Sequence, residues 1–128
     1  MLTAIHHVAI IASDYRRSRH FYSQTLGLPI IREVWREARA SWKCDLAIGQ
    51  AQIELFSFPD PPPRPTTPEA RGLRHLAFRV PDLAPVIASL QAAGVAVEPV
   101  RTDEFTGRRF TFFRDPDELP LELYEESS

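Results

Sequence analysis

The stretch His7-Val8-Ala9-Ile10 returns 68 residues later as His75-Leu76-Ala77-Phe78, and this repeat decides the fold that the sequence predicts. A glutamate follows each histidine by 47 residues. The neighbours of the two glutamates match as well, as Ile53-Glu54-Leu55-Phe56 and Leu121-Glu122-Leu123-Tyr124. Self-similarity at one fixed offset is typical of a repeated structural unit. The sequence therefore predicts two copies of one module.

Each module predicts a strand, a helix and three further strands, from the periodicity of its apolar residues and from its turn residues. The predicted elements of the first module are a strand at 5–12, a helix at 14–26, and strands at 29–37, 42–49 and 51–58. Those of the second module are a strand at 73–80, a helix at 82–93, and strands at 95–102, 107–114 and 119–125. We therefore predict an α+β fold of two βαβββ modules, with a cupped mixed sheet around a cleft.

A proline-rich segment at 59–72 separates the modules and holds six of the twelve prolines of the chain. Such a run cannot pair in a sheet, so it predicts a stiff and extended connector. The chain has 128 residues, which is the length of one domain. We expect a single domain over 1–128, with modules at 4–58 and 73–126 that share one core or exchange parts with a second copy.

The composition narrows the classes of partner. Hydrophobic residues make up 44% of the chain and charged residues 25%, as is usual for a soluble globular protein. The net charge of −2 argues against binding to nucleic acid or to an anionic membrane, and no apolar run reaches the roughly 18 residues that span a bilayer. The one cysteine, Cys44, cannot form an internal disulfide. We expect a cytoplasmic protein in which Cys44 is a plain strand residue.

The repeated histidines and glutamates predict a metal site. Each glutamate stands between apolar residues of a predicted strand, and burying an ionised carboxylate without a partner is costly. A divalent cation would supply that partner. We predict that it is held by a set of four side chains, His7, Glu54, His75 and Glu122. The alternative is that both glutamates face solvent from the open side of an antiparallel sheet.

A second histidine, His6, competes with His7 for the first ligand position. Asp14 follows His7 by seven residues, as Asp82 follows His75, and this shared spacing selects His7. Side chains alternate between the two faces of a strand, so we expect His6 on the opposite face, as a packing or surface residue.

Several motifs resemble one superfamily. Phe21-Tyr22 and Leu26-Gly27-Leu28 in the first module, and Phe112-Phe113-Arg114-Asp115-Pro116-Asp117 in the second, resemble the vicinal oxygen chelate superfamily. That superfamily includes glyoxalase I, fosfomycin-resistance and bleomycin-resistance proteins, methylmalonyl-CoA epimerase and extradiol dioxygenases. The stretches Arg36-Glu37-Ala38-Arg39 and Glu54-Leu55-Phe56-Ser57-Phe58-Pro59 are similar to those of small bacterial glyoxalase-related proteins of the YaeR type.

The order His, Glu, His, Glu resembles the ligand set of bacterial glyoxalase I. This resemblance implies one divalent ion, such as Ni, Zn, Co or Mn, and a lyase or isomerase that acts on an α-hydroxycarbonyl or thiol adduct. It also implies that Glu122, with Glu54 opposite, moves a proton between adjacent carbons through an enediolate that the metal stabilises. Two alternatives stay open: a binding or sequestration protein of the bleomycin-resistance type, and an Fe(II)-dependent dioxygenase of the extradiol type.

The resemblance also bears on the substrate and on assembly. Ile11 and Phe58 stand where glyoxalase I has polar contacts to glutathione, so we doubt that the protein uses glutathione. Arg71 matches a carboxylate contact of some members. The further candidates for substrate binding are Arg36 and Arg39 as anion contacts, and Trp42, Phe56, Phe58, Phe110 and Phe112 as the lining of an apolar pocket. We expect a homodimer, with metal ligands that come from one chain or from two.

Overall fold

A computed structural model describes residues 1–126 of the protein; Ser127 and Ser128 lie outside the described residues. The chain forms two compact units, Met1–Pro63 and Arg64–Ser128, and the boundary falls within the predicted connector. Within the described part of the chain, neither helix has the length and apolar character needed to cross a bilayer.

The N-terminal unit is a four-stranded mixed sheet with one helical segment. Its elements are β1 (His7–Ala12), α1 (Tyr15–His20), a π-helical turn (Phe21–Thr25), β2 (Ile30–Arg36), a 3-10 helix (Glu37–Arg39), β3 (Ser41–Ile48) and β4 (Ala51–Ser57). The strand order is β1-β4-β3-β2, and β1 runs parallel to β4. The Asp14 side chain accepts a hydrogen bond from the Arg17 N–H and caps α1.

The C-terminal unit repeats this architecture. Its elements are β5 (Leu76–Val80), α2 (Leu83–Ala92), β6 (Arg101–Thr102), β7 (Arg109–Arg114) and β8 (Pro120–Glu125). The strand order is β5-β8-β7-β6, and β5 runs parallel to β8. Asp82 caps α2 through the Ala84 N–H. The equal order of strands in both units confirms the predicted α+β fold of two βαβββ modules.

Three predicted elements differ from the structure. The helix predicted at 14–26 is α-helical only to His20 and continues as the π-helical turn. The strand predicted at 95–102 is only two residues long, because Pro99 lacks the N–H that a paired strand needs. The connector is not uniformly extended. Residues 66–69 form a turn, and the Arg64 guanidinium donates to the Leu73 carbonyl at 2.8 Å, so the second half of the connector folds onto its own unit.

The core of the N-terminal unit lies between its helical segment and one face of its sheet. Leu46, Ile53 and Leu55 point to this face and are buried, as is Tyr22 in the π-helical turn. Alternation along β4 then turns Glu54 to the opposite face. The C-terminal unit follows the same plan, with a core that contains Leu83, Leu90, Phe113, Leu121 and Leu123.

A polar cluster ties α1 to its sheet on the core side. The Tyr15 hydroxyl donates to Glu33 on β2, and the Arg19 guanidinium donates to the same carboxylate at 2.6 Å. Burial and the Glu33 carboxylate raise the pKa of Tyr15. Burial alone would raise the pKa of Glu33 as well, but the Arg19 and Tyr15 hydrogen bonds hold it below its usual range. Cys44 is fully buried, which raises the pKa of its thiol, as expected for an unreactive strand residue.

Candidate metal and substrate site

The sheet register places one histidine and one glutamate together in each unit. Ala9 of β1 stands opposite Glu54 of β4, and Ala77 of β5 stands opposite Glu122 of β8. The histidine lies two residues before that alanine in both units. A strand residue and its second neighbour share one face, so both units present an imidazole and a carboxylate on the same side of the sheet.

The distances within each pair fit two adjacent ligands of one cation. His7 Nδ1 lies 3.4 Å from Glu54 Oε2, and His75 Nε2 lies 3.0 Å from Glu122 Oε1. Adjacent ligands at ~2.1 Å from an ion are separated by ~3.0 Å in an octahedron and ~3.4 Å in a tetrahedron. The two glutamate side chains are only 13% and 11% exposed, which is low for carboxylates on an open sheet face. The structure therefore brings together two of the four predicted ligands in each unit.

His6 does not lie where the sequence predicted. Its Nδ1 is 2.9 Å from His7 Nδ1, and the two rings form an edge contact with centroids 5.2 Å apart. The prediction of an opposite face was wrong, because the His6 side chain, directly before the first residue of β1, turns towards the His7 ring. His6, His7 and Glu54 each offer a ligand atom, and these three atoms lie within 4.8 Å of one another.

Glu54 is surrounded by a network of charged side chains that was not predicted from the sequence. Asp45 of β3 stands opposite Glu54, and Lys43 Nζ lies 2.7 Å from Asp45 Oδ1 and 3.6 Å from Glu54 Oε1. Arg32 donates to the other Asp45 oxygen at 3.0 Å. Burial alone would raise the pKa of Asp45, but the Lys43 and Arg32 hydrogen bonds hold it below its usual range. The sequence did hold a sign of this network: Lys43 and Asp45 are two residues apart in the predicted strand 42–49, so they share one face of it.

The surroundings of Glu122 are aromatic instead. Phe112 of β7 stands opposite Glu122, and the His75 ring packs against the Phe112 ring with centroids 5.0 Å apart. Arg74 Nη1 lies 3.0 Å from His75 Nδ1. A guanidinium can only donate, so Nδ1 is the acceptor, and in the neutral ring Nε2 carries the hydrogen that faces Glu122.

Each unit also places a guanidinium over two phenylalanine rings. Arg36 lies over Phe56 and Phe58, with its central carbon 4.7 Å and 5.6 Å from the ring centroids. In the C-terminal unit Arg101 lies over two rings, 5.1 Å from Phe110 and 5.4 Å from Phe112. All four phenylalanines and Arg36 were predicted as substrate contacts. Arg101 was not predicted; it is the register partner of Phe110 in the pairing of β6 with β7, and that register was not assigned from the sequence.

A cavity of about 340 Å³ opens beside Phe112 in the C-terminal unit. Its lining is rich in arginine and includes Arg64, Arg74, Arg101 and Arg114, with Glu69 and Glu98 as the acidic members. Arg74 is paired with Glu69 at 3.0 Å and Arg101 with Glu98 at 3.2 Å. The lining therefore carries more positive than negative charge, which suits an anionic ligand.

Three predicted substrate contacts lie elsewhere. Trp42 stacks on Tyr15 of α1 with centroids 5.7 Å apart, so it points to the core side of its sheet, whereas its neighbour Lys43 points to Glu54. Trp42 and Phe56 therefore lie on opposite faces of this sheet. Arg71 is exposed and is not part of the lining of the cavity beside Phe112. Arg39 is exposed at the end of its 3-10 helix.

Comparison with known proteins matches residues 4–123 to a family model described as the Glyoxalase/Bleomycin resistance protein/Dioxygenase superfamily. The chain is 58% identical to the uncharacterized protein YwkD of Bacillus subtilis (strain 168), over 98% of this chain and 99% of that one. It is also 58% identical to the uncharacterized protein YaeR of Escherichia coli (strain K12), over 98% of each chain. The crystal structure of SMU.1112c is 47% identical and superposes with a TM-score of 0.93, covering 98% of this chain and 100% of that one. The resemblance inferred from the motifs is confirmed.

Proposed function

This chain belongs to the Glyoxalase/Bleomycin resistance protein/Dioxygenase superfamily, and we propose that it is a metal-dependent lyase or isomerase of the glyoxalase I kind. The substrate would be an α-hydroxycarbonyl compound or a thiol adduct of one. The observation that carries this proposal is the pair of one histidine and one glutamate that recurs in the same register in both units. We propose that both pairs bind one ion, supplied by one chain or by two copies of it.

The donor atoms favour a borderline transition metal. Two imidazoles suit Ni, Zn or Co, and two carboxylates balance the charge of a divalent ion and also admit Mn. Four protein ligands would leave room on such an ion for oxygens of the substrate. When bound, the ion supplies a Lewis acid that stabilises negative charge on those oxygens.

The proposed proton carrier is Glu122, with Glu54 in a supporting role. Lys43 Nζ lies 3.6 Å from Glu54 Oε1 and helps to orient this carboxylate. Glu122 lies 3.0 Å from His75 and opposite Phe112, and carboxylates are among the groups that serve as general acid and base in enzymes. We propose that Glu122 transfers a proton between adjacent carbons of the substrate.

The substrate is proposed to carry an anionic group. Arg101 and Arg36 present planar cations over phenylalanine rings in their respective units, and a guanidinium binds carboxylate or phosphate through two parallel hydrogen bonds. The cavity beside Phe112 has a volume at the lower end of the range for small-molecule sites. A small acid with adjacent hydroxyl and carbonyl groups fits these features.

Glutathione adducts are proposed to be poor substrates. Ile11 lies on the face of β1 that carries His7, and its side chain offers no hydrogen bond. Phe58 stacks on Phe56 with centroids 5.9 Å apart and offers none either. An ionised end facing these two side chains would lose its hydrogen bonds, at a cost of order 10²-fold or more in kcat/KM.

The proposed function is tested on the full-length protein. Purified protein would be stripped of metal, reloaded with Ni, Co, Zn, Mn or Fe(II), and offered a panel of hydroxycarbonyl acids and thiol adducts in deuterated water. We expect metal-dependent incorporation of deuterium at the carbon next to the carbonyl. Turnover that requires both Fe(II) and O₂ would overturn the proposal in favour of a dioxygenase, and tight ligand binding without any exchange would favour a sequestration protein.

We also propose that the protein acts in the cytoplasm as a homodimer. Large apolar side chains are exposed on β1 and β2, among them Ile11, Ile31, Val34 and Trp35. Apolar surface of this kind is a common feature of subunit contacts. Sedimentation at micromolar concentration should give twice the chain mass of 14.6 kDa, and a single species at the chain mass would contradict the proposal.

A further inference from the structure

We propose that His6 is a metal ligand, so that the N-terminal unit holds a divalent transition metal ion through His6, His7 and Glu54 without help from the C-terminal unit. This inference rests on the proposed function only in that both need a metal at His7 and Glu54. It adds a third donor, His6, and assigns the first capture of the ion to one unit.

The positions of the three donor atoms carry the proposal. His6 Nδ1 and His7 Nδ1 are 2.9 Å apart, His7 Nδ1 and Glu54 Oε2 are 3.4 Å apart, and all three atoms lie within 4.8 Å of one another. A neutral imidazole has one N–H and one lone pair. A hydrogen shared between two of the three atoms satisfies only one contact. A cation bound at the centre would be a partner for the lone pairs of all three atoms. Two imidazoles and one carboxylate are also a set that binds Fe, Co, Ni, Cu or Zn.

The backbone of His6 is fixed at the site. The Gln52 N–H of β4 donates to the His6 carbonyl at 3.0 Å, which extends the pairing between the first and fourth strands by one residue. The His6 ring also makes its edge contact with the His7 ring. A donor held by the sheet loses less conformational freedom on binding an ion than a donor in a free terminal segment.

The C-terminal unit has no equivalent third donor at the same position. The residue before its histidine is Arg74, which follows His6 by the 68-residue offset of the repeat and contacts the His75 ring as His6 contacts the His7 ring. A guanidinium carries a permanent positive charge and has no lone pair for a metal. The pair formed by His75 and Glu122 therefore offers fewer ligand atoms and should bind the ion more weakly. We infer that the ion binds the N-terminal unit first.

The test uses the full-length protein in two backgrounds, the natural sequence and the double variant His75→Ala/Glu122→Ala. Cobalt affinity would be measured by competition with a chelator, and the number of bound imidazoles by pulsed electron paramagnetic resonance on the copper-loaded protein. We expect the double variant to keep one ion with two imidazoles. Adding His6→Ala or His6→Gln should weaken cobalt binding by about tenfold or more and remove one imidazole signal. His20→Ala, at an exposed histidine on α1, is the matched control and should change neither readout.

The outcomes separate this inference from the proposed function. A double variant that binds no metal, or His6 substitutions that leave affinity and imidazole count unchanged, would overturn the role of His6 while the natural protein still binds its ion. A natural protein that binds none of the tested metals would overturn both.

Discussion

The two units present the same pair of ligands in different surroundings. Before the histidine stands His6 in the N-terminal unit and Arg74 in the C-terminal unit. Opposite the glutamate stands Asp45 in the first unit and Phe112 in the second. Register and ligands are therefore common to both copies, whereas the neighbouring positions have diverged.

We propose that this difference reflects a division of roles between the units. Around Glu54, Lys43 and Asp45 form ion pairs that orient a carboxylate, and a nearby imidazole can add a ligand. Such contacts orient a ligand before the ion arrives, and the Asp45 carboxylate balances the positive charge of Lys43. Around Glu122, the aromatic ring of Phe112 and the cations Arg74 and Arg101 border a cavity. Under the proposed function, the first unit would hold the ion and the second would bind and convert the substrate.

Loss of ligands should have the largest effect and should be unequal between the units. The double variant His7→Ala/His75→Ala should lose metal affinity by on the order of 10³-fold or more, since each ligand contributes several kcal/mol to binding. Of the two single variants, His7→Ala should bind the metal more weakly than His75→Ala, because the N-terminal unit supplies more ligand atoms. Metal content after dialysis, with His20→Ala as control, measures both. Equal metal content in the double variant and the natural protein would refute the site, and equal losses in the single variants would refute the division of roles.

Loss of Arg101, an arginine of the cavity lining, should weaken substrate binding and leave metal binding unchanged. Arg101→Ala should raise KM for an anionic substrate by about 10- to 100-fold, the worth of hydrogen bonds to a charged group, and leave cobalt affinity unchanged. Arg108→Ala, at an exposed arginine outside the cavity lining, is the control. If Arg36→Ala raises KM and Arg101→Ala does not, the anion is bound by the N-terminal unit and the assignment of roles is reversed.

The residues opposite the two glutamates should differ in how stability depends on pH. The pKa of folded Asp45 lies below the value of an unfolded aspartate, so its ionised form stabilises the fold above about pH 4, and this contribution is lost as pH falls through the folded pKa. Asp45→Asn should cost about 1–3 kcal/mol at pH 7 and much less at pH 3. Phe112→Leu should cost a similar amount at both pH values, because it changes packing only. Urea unfolding at pH 7 and pH 3 measures both, and an Asp45→Asn cost that does not change with pH would contradict the role of the ion pairs.

The repeat and the period-two alternation made the fold and the ligand pairs predictable from the sequence. Once the strands are assigned, alternation puts Glu54 and Glu122 on the face of each sheet that points away from its core. The rules failed where a strand ends or is interrupted. His6 lies just outside β1, and Pro99 interrupts the strand predicted at 95–102. The sequence shows that Trp42 and Lys43 take opposite faces of β3, but not which of the two faces meets the helix.

The smallest predicted effect tests the position that differs most between the units. Arg74 places a positive charge at the His75 ring, and a cation bound at Nε2 would be repelled by it. The contact also requires a lone pair on Nδ1, whereas a ring that binds metal through Nε2 carries its hydrogen on Nδ1, so Arg74 must move when the ion binds. Arg74→Gln should therefore strengthen cobalt binding by no more than severalfold, because the charge it removes is exposed to solvent and screened. Arg108→Gln is the control, and Arg74→His should strengthen binding further by giving the C-terminal unit its own third donor. Unchanged or weaker binding in both Arg74 variants would show that this position does not set the difference between the two units.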